Sequence, residues 1–333
     1  MSNIINRPVG IFYEHPSWFK PLFEELEQRR IPFVRLNAAQ HHFNPLERDV
    51  PYSLVINRIS PSAYLRGNGQ SIFYATQYIE HLERLGVPVI NGLLAQSYEI
   101  SKTKQLGLLA SLGLRFPKSR IVNHVNQILA AAKALKFPVL VKANIGGSGA
   151  GITQFDTPES LKKAIFLNQI SFGTDQVALV QEYLAPKDGH IVRVETLNGK
   201  FLYAIKVYPT RKSFNLCPAD LCEVPAYTNS EACIAEAARN GVKVEKYNPP
   251  KQIIEDVERI VKSARLDVGG VEYLLDEQGE PHYYDINALS NFVADAVNII
   301  GFNPYVNLVD YIESRPQPVF QIDQEPEFQK EEV

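Results

Sequence analysis

Cysteine is scarce in this 333-residue chain, which holds only Cys217, Cys222 and Cys233, with one Met and one Trp. So low and odd a count rules out a disulfide-stapled scaffold. Cys217 and Cys222 read as packed thiols rather than zinc ligands, since no second Cys or His pair completes a site. Neither sign of charge dominates: 34 Lys and Arg against 37 Asp and Glu leave a net charge of −3. With no dense basic run, the chain does not read as a nucleic-acid binder working through bulk charge. No apolar run reaches the ~18 residues of a membrane span, and the first eight residues lack the charged head and apolar stretch of a secretion signal. The expectation is a soluble, cytoplasmic protein with no membrane partner. Hydrophobic residues at 45% and charged residues at 21% match an ordinary globular protein and exclude disorder of the whole chain. The length suits roughly two domains.

What is present is an alternation. Short apolar runs at 9–13, 31–36, 53–56 and 87–91 are separated by amphipathic stretches at 17–30 and 69–85. Strands alternating with helices predict βαβ units and an open parallel α/β domain over 1–96. A helix is expected over 97–113, capped by Ser97 or Ser101, with Leu106, Leu109, Ala110 and Leu112 as its apolar stripe and Gly113 as its stop. A small α+β unit follows at about 115–180. Its expected parts are a helix at 125–136, the strand 137–142, the Gly-rich turn Gly146-Gly-Ser-Gly-Ala-Gly151, a strand at 152–155, a helix at 157–168 and the strand 176–180. The last part, to residue 315, holds strands at 191–197 and 200–208, a loop at 209–225 and helices at 229–240, 250–265 and 303–314. Residues 316–333, rich in Pro, Gln and Glu, read as a tail.

The segment Val271-Glu-Tyr-Leu-Leu-Asp276, then Glu-Gln-Gly-Glu, then Pro281-His-Tyr-Tyr-Asp-Ile-Asn287 carries the clearest chemistry. It reads as a hairpin, and pairing 276 with 281 sets Glu272 opposite Asp285. Alternation then puts Asn287 on their face and Val271, Tyr273, Leu275, Tyr284 and Ile286 on the other. Carboxylates placed directly across a hairpin repel, and a hard cation with oxygen ligands, Mg²⁺ before Zn²⁺, would relieve them. The same letters also describe the polar face of an edge hairpin.

Gly146, Gly147, Ser148 and Gly149 offer backbone N–H groups that could wrap phosphate oxygens. The run is neither a Walker loop nor a G-x-G-x-x-G turn opening a helix, and it also fits an ordinary hairpin turn. Lys142 ends one apolar strand and Lys206 lies within another. Each either snorkels to water or pairs with an anion. Lys102 and Arg193 add two further cations to the same region. Gln181-Glu-Tyr-Leu184 leaves a strand where an adenine edge could be read. Arg58, in Asn57-Arg-Ile-Ser60, ends a strand where open α/β sheets bind ligands. It could fork a substrate carboxylate or form an inter-domain ion pair. Arg211 could do the same from the loop after Lys206.

In this order and spacing, Ser101-Lys-Thr-Lys-Gln-Leu-Gly, Phe137-Pro-Val-Leu-Val-Lys142 with the Gly-rich run, Val180-Gln-Glu-Tyr183, and Glu272 with Asp285-Ile-Asn287 resemble the ATP-grasp superfamily. The likeness is to its RimK-type and glutathione-synthetase-like carboxylate–amine ligases, over about residues 8–315. The resemblance implies an open parallel α/β domain, a central α+β lid and a C-terminal α+β domain, with the nucleotide between the last two. It implies that Lys102, Lys142 and the Gly-rich run meet ATP phosphates, and that Gln181, Glu182, Tyr183 and Leu184 line the adenine. Glu272, Asp285 and Asn287 would hold one or two Mg²⁺ ions, for which Mn²⁺ could substitute. Arg193 and Lys206 would face the γ-phosphate and the acyl phosphate, and Asn215 would sit near them. Ile191 stands where an acidic ribose ligand is often found, which gives that role to His190 or Asp188. The implied reaction activates a carboxylate with ATP and joins it to an amine of an amino acid or peptide, in a homo-oligomer. A thiol nucleophile and a non-catalytic ATP-binding module are the alternatives.

Overall fold

A computed structural model describes residues 7–15, 17–147, 149, 151–208 and 243–315. The first sheet is all-parallel, because each of its strands returns through a connection on its face. Strands β1 (Val9–Tyr13), β2 (Phe33–Asn37), β3 (Leu54–Arg58) and β4 (Val89–Ile90) lie in the order β2-β1-β3-β4. Helices α1 (Lys20–Gln28) and α2 (Gln70–Arg84) cover its two faces.

The helix expected over 97–113 is two helices, α3 (Leu93–Glu99) and α4 (Lys102–Ser111). Ser101 breaks the run: it is extended, at φ −153° and ψ 99°, and its hydroxyl accepts from the Lys104 N–H as the N-cap of α4. The buried stripe of α4 is Gln105, Leu106, Leu108 and Leu109; Leu112, just past its end, packs half-buried against the same core, whereas Ala110 is exposed. Gln105 fills a core position because its amide closes three bonds, donating to Tyr98 O and Ile286 O and accepting from Ile286 N.

The small central unit is an antiparallel sheet in the order β5-β8-β6-β7, from β5 (Ser119–Val122), β6 (Val139–Ala143), β7 (Ile152–Phe155) and β8 (Ala178–Glu182). Helices α5 (Ile128–Ala132) and α6 (Pro158–Phe166) cover one face. The expected helix 125–136 shortens to a 3-10 turn followed by α5, whereas α6 starts on a Thr157 capping box.

The C-terminal sheet, β11-β10-β9-β12-β13, is antiparallel throughout. It comprises β9 (Ile191–Leu197), β10 (Lys200–Tyr208), β11 (Lys243–Tyr247), β12 (Val268–Leu275) and β13 (Pro281–Asn287). Helix α7 (Lys251–Ser263) packs with α4 on one face, while α8 (Ala296–Ile300) and α9 (Pro304–Ser314) accompany the other. Strand β11 and helix α8 are absent from the sequence-based expectation. The expected loop 209–225, helix 229–240 and tail 316–333 lie outside the described residues, as do Cys217, Cys222 and Cys233.

One apolar core joins the first sheet to the last: Val9, Ile11, Leu54 and Ile56 meet Ile205, Val207, Val268 and Leu308. Asn91 pins that junction. Its buried amide donates to Val268 O and Ala288 O, both at 2.6 Å, and accepts from Asp267 N and Val268 N. All four of its bonds cross from the first domain to the last, so the two sheets hold a defined relative position.

Candidate active site

The hairpin β12–β13 sets Glu272 opposite Asp285, but by a different register from the simple one. The turn pairs Leu275 with Pro281, and Tyr273 with Tyr283; a bulge then absorbs one residue before Glu272 meets Asp285. The bulge corrects the face assignment of two tyrosines. Tyr283 takes the apolar face with Tyr273, and the Tyr284 hydroxyl bonds the Glu272 carboxylate instead of facing away from it.

The protein's own cations relieve the repulsion between these carboxylates. Lys102 Nζ, at the start of α4, lies 2.6 Å from Asp285 Oδ1, and Arg193 Nη1, on β9 beside Glu272, lies 3.1 Å from Glu272 Oε1. Burial pushes the Glu272 carboxyl up, and Arg193 opposes the rise. Burial also works against Asp285, yet Lys102 overrides it and holds Asp285 below the usual range. Lys102 in turn is held above its ordinary value, because Asp285 outweighs the burial of its own charge.

Lys142, inward-facing on β6 and 5% exposed, has no ion-pair partner among the described residues. Burial, then the charge of Lys102, lowers its pKa to about 7. Asn144, two residues on, ties this strand to α4. Its Oδ1 accepts from Thr103 N and Ser101 Oγ, and its Nδ2 donates to Asp175. Lysines from two elements thus converge on the carboxylate pair of a third.

Gly146 is buried beyond β6, and Gly147 faces the first domain, where a Cβ would meet Pro61 and Ser62 at 3.4 Å. Gly149 and Gly151 have φ of +72°, a conformation that favours glycine. Ser148, Arg211 and Asn215 lie outside the described residues.

Several expected residues stand apart from this cluster. Lys206 pairs in register with Val192, so it shares that residue's face of the sheet, opposite to Arg193. Its ammonium rests 4.8 Å from the centre of the Tyr247 ring. Glu182 is buried toward the helices of the central unit, where Oε1 accepts from Lys136 N. Gln181 faces inward and donates to Ser119 Oγ, while Tyr183 N bonds Pro138 O and Leu184 packs against the inter-domain core. His190 lies against Tyr208, its pKa lowered by burial and by Lys206.

Arg58 is 1% exposed, behind the cluster at the end of β3. Its Nη2 donates to Ser290 O, while Nε and Nη1 are buried without partners. Burial lowers its pKa to about 10.

Sequence reasoning missed Glu195, Glu99 and Asn144. Glu195 was within reach of strand alternation, being two residues after Arg193 on the same face of β9, and its Oε1 lies 2.5 Å from Arg193 Nε. Glu99 gave no such signal. It is buried, accepts from Ala288 N and Leu289 N across the domain junction, and is raised by burial to about 7.

As oxygen donors, Glu272, Asp285 and Asn287 suit a hard divalent ion. The Asn287 Nδ2 is buried without a partner, so one end of that amide is unused, and a half-turn exchanges it for the carbonyl oxygen. Among the described residues, no group of three or more His, Cys, Asp or Glu is placed to hold a metal. Any such ion would therefore need the asparagine and ligand oxygens as well.

A parallel α/β domain, an antiparallel sheet with a Gly-rich turn, and a second antiparallel sheet carrying acidic residues together define the ATP-grasp fold. Solved structures agree. The ATP-grasp ligase PsnB complexed with minimal precursor matches at a TM-score of 0.64 with 15% identity, covering 92% of this chain and 99% of that one. The RimK domain ATP-grasp protein of Sphaerobacter thermophilus DSM 20745 matches at 0.62 with 15% identity, covering 85% and 92%.

Within that fold, residues 100–215 match the RimK-like ATP-grasp domain family. The chain is 23% identical over 222 residues to a D-alanine–D-alanine ligase of Geobacter sulfurreducens, covering 64% of this chain and 62% of that protein. It is 30% identical over 156 residues to a probable alpha-L-glutamate ligase of Marinomonas sp. MWYL1, covering 46% and 48%. The chain therefore spans less than two thirds of the length of these curated relatives. Among the described residues, no helix is long and apolar enough to cross a membrane.

Proposed function

We propose that this chain is an ATP- and Mg²⁺-dependent carboxylate–amine ligase that forms an amide bond through an acyl phosphate and releases ADP and phosphate. The observation that carries the reading is the convergence of Lys102, Lys142 and Arg193 on Glu272 and Asp285. Such a cluster is built to neutralise transferred phosphate rather than to supply a nucleophile. The names of the relatives, ligases of D-alanine and of glutamate, support the reaction class. A PsnB structure complexed with a precursor variant, Mg and ADP supports the cofactors.

Glu272, Asp285 and Asn287 would hold the Mg²⁺, which supplies charge neutralisation at phosphate oxygens when bound. Among the described residues of the cluster, Lys142, with no carboxylate paired to it, is the cation that would take a phosphate oxygen. Lys102 and Arg193 hold the carboxylates in place and complete the field. Arg58 would take a substrate carboxylate on its two unpartnered nitrogens. Gly146, Gly147, Ser148 and Gly149 would close over the phosphates, and Gln181, Tyr183 and Leu184 would line the base. The substrates would be a small-molecule, peptide or protein carboxylate and an amino acid or peptide amine, in the cytoplasm and in a homo-oligomer.

The test is phosphate release from Mg·ATP in the presence of pooled amino acids, dipeptides and carboxylic acids, with mass spectrometry of any active pool. The expected result is stimulated release with a product lighter by one water than its two substrates. ATP binding with no product from any pool, peptides included, would overturn the ligase reading in favour of a binding module.

A further inference from the structure

Strand β13 is an edge of the C-terminal sheet, and an edge strand presents backbone groups on its outer side that no strand takes up. Here buried side chains of α3, α4 and the residue Asn91 before them meet those groups. The Gln105 amide bonds both groups of Ile286, its Oε1 accepting from Ile286 N at 3.1 Å and its Nε2 donating to Ile286 O at 2.8 Å. Nε2 also donates to Tyr98 O at 2.8 Å, so the amide cannot turn over without losing bonds. Glu99 accepts from Ala288 N and Leu289 N, and Asn91 donates to Ala288 O at 2.6 Å. A donor and an acceptor aimed at one residue do what the facing residue of a sixth antiparallel strand would do.

Ile286 stands between Asp285 and Asn287, two of the proposed metal ligands, whose side chains take the opposite face from its own. The backbone that Gln105 holds is therefore the backbone that aims both ligands. Asn287 depends on it most, since its Nδ2 is buried without a partner to steer the amide. Gln105 also follows Lys102 by one turn of α4, and the Lys102 ammonium lies 2.6 Å from Asp285 Oδ1. One turn of helix thus grips the ligand strand at two points, Asp285 by its side chain and Ile286 by its backbone. A leucine at 105 would fill the apolar stripe of α4 and hold neither group of Ile286.

We infer that Gln105 is a positioning residue of the metal site: it fixes the Ile286 backbone so that Asp285 and Asn287 meet one divalent ion in register with the Lys102 ammonium. Glu99 and Asn91 extend the same hold to the residues that follow. The inference rests on the metal assignment within the ligase reading and adds to it residues that would touch neither metal nor nucleotide. Side chains that hold metal ligands from behind typically govern metal affinity by ~10–100-fold.

The experiment uses the full chain in excess over a non-hydrolysable ATP analogue, with bound Mn²⁺ followed by electron paramagnetic resonance and the affinity for the analogue alone measured by calorimetry in EDTA. Gln105→Met keeps the length of the side chain and removes the amide. It is expected to weaken Mn²⁺ binding ~10-fold or more while metal-free affinity for the analogue changes less than ~2-fold, since Lys102 and Lys142 stay in place. Leu109→Ala, a core truncation on the same helix that leaves the Gln105 amide alone, is expected to lower thermal stability and to keep Mn²⁺ affinity within ~2-fold. Unchanged Mn²⁺ affinity in Gln105→Met, or an equal loss in Leu109→Ala, overturns the positioning role.

Hydrogen exchange reads the same coupling without a variant. What Gln105 does for the ligands the bound ion does in return, so Mg²⁺ added to the analogue complex is expected to slow the Ile286 amide ~10-fold beyond any slowing in the first sheet. An Ile286 amide that merely follows the first sheet overturns the inference. Failure of the unaltered protein to bind the analogue and Mn²⁺ at all would instead overturn the nucleotide and metal reading on which it rests.

Discussion

Lys142 makes the proposed nucleotide site sensitive to pH in a direction that can be worked out. Burial and the neighbouring charge of Lys102 lower its pKa from 10.5 to about 7. Phosphate oxygens beside the ammonium would raise it again. Below pH 7 both free and bound forms carry the proton, so affinity is flat. Above it the free protein loses the proton and the complex keeps it, so binding must take up one proton. The association constant then falls by up to ~10-fold per pH unit, or about 100-fold between about pH 7.5 and 9.5. ATP itself is fully ionised in that window, and Lys102, held charged by Asp285, adds no slope. Calorimetry of Mg·ATP-analogue binding in buffers of different ionisation enthalpy measures the proton uptake directly. Lys142→Arg, always protonated, should flatten the profile, and Lys142→Met should remove it along with much of the affinity. A flat profile with no proton uptake in the unaltered protein would refute the assignment.

Stability follows the same logic with its own sign. A lysine whose folded pKa lies below its unfolded value costs stability most fully below the folded pKa. The cost is relieved as pH rises from about 7 toward 10.5. The separation sets an upper bound of about 5 kcal/mol on the penalty. Urea unfolding of the ligand-free protein should therefore show a rise in stability over that window that is missing from Lys142→Met.

Other outcomes can be stated briefly. Asp285→Asn leaves Lys102 without its carboxylate and removes a proposed metal ligand. It should cut ADP formation by roughly 100-fold or more while far-UV circular dichroism is kept, and near wild-type turnover would sink the metal assignment. Gly270→Ala should cost about 1–3 kcal/mol in urea unfolding, because its Cβ reaches 3.0 Å from both members of the Arg193–Glu195 pair. Lys206→Ala should change turnover by less than ~3-fold, since alternation turns it to the face opposite Arg193, whereas Arg193→Ala should abolish activity. Equal losses in those two variants would mean that the sheet face is misassigned.

Among the described residues, most local elements could be read from the sequence, and the exceptions at Ser101 and the hairpin have physical causes. The apolar alternation of the first 90 residues specifies a parallel sheet, because only βαβ connections bury such runs on both faces. The helix over 97–113 broke at Ser101 because its hydroxyl accepts from Lys104 N and the Asn144 side chain, 43 residues away, accepts from Thr103 N, taking N–H groups that a continuous helix would have bonded to its own carbonyls. Periodicity carries no trace of such a partner. The register at the hairpin turn was misread by one residue, and the bulge restored the Glu272–Asp285 pair.

By itself, the sequence set Glu272 across from Asp285, because spacing along strands sets which side chains share a face. Only the tertiary structure decided their partners. It gave the carboxylates Lys102 and Arg193, turned Lys206 and Glu182 away, and buried Arg58 and Glu195 with bonds unspent. These are contacts between elements far apart in the chain. Their energies depend on burial and on the charges nearby, quantities that exist only once the sheets have packed.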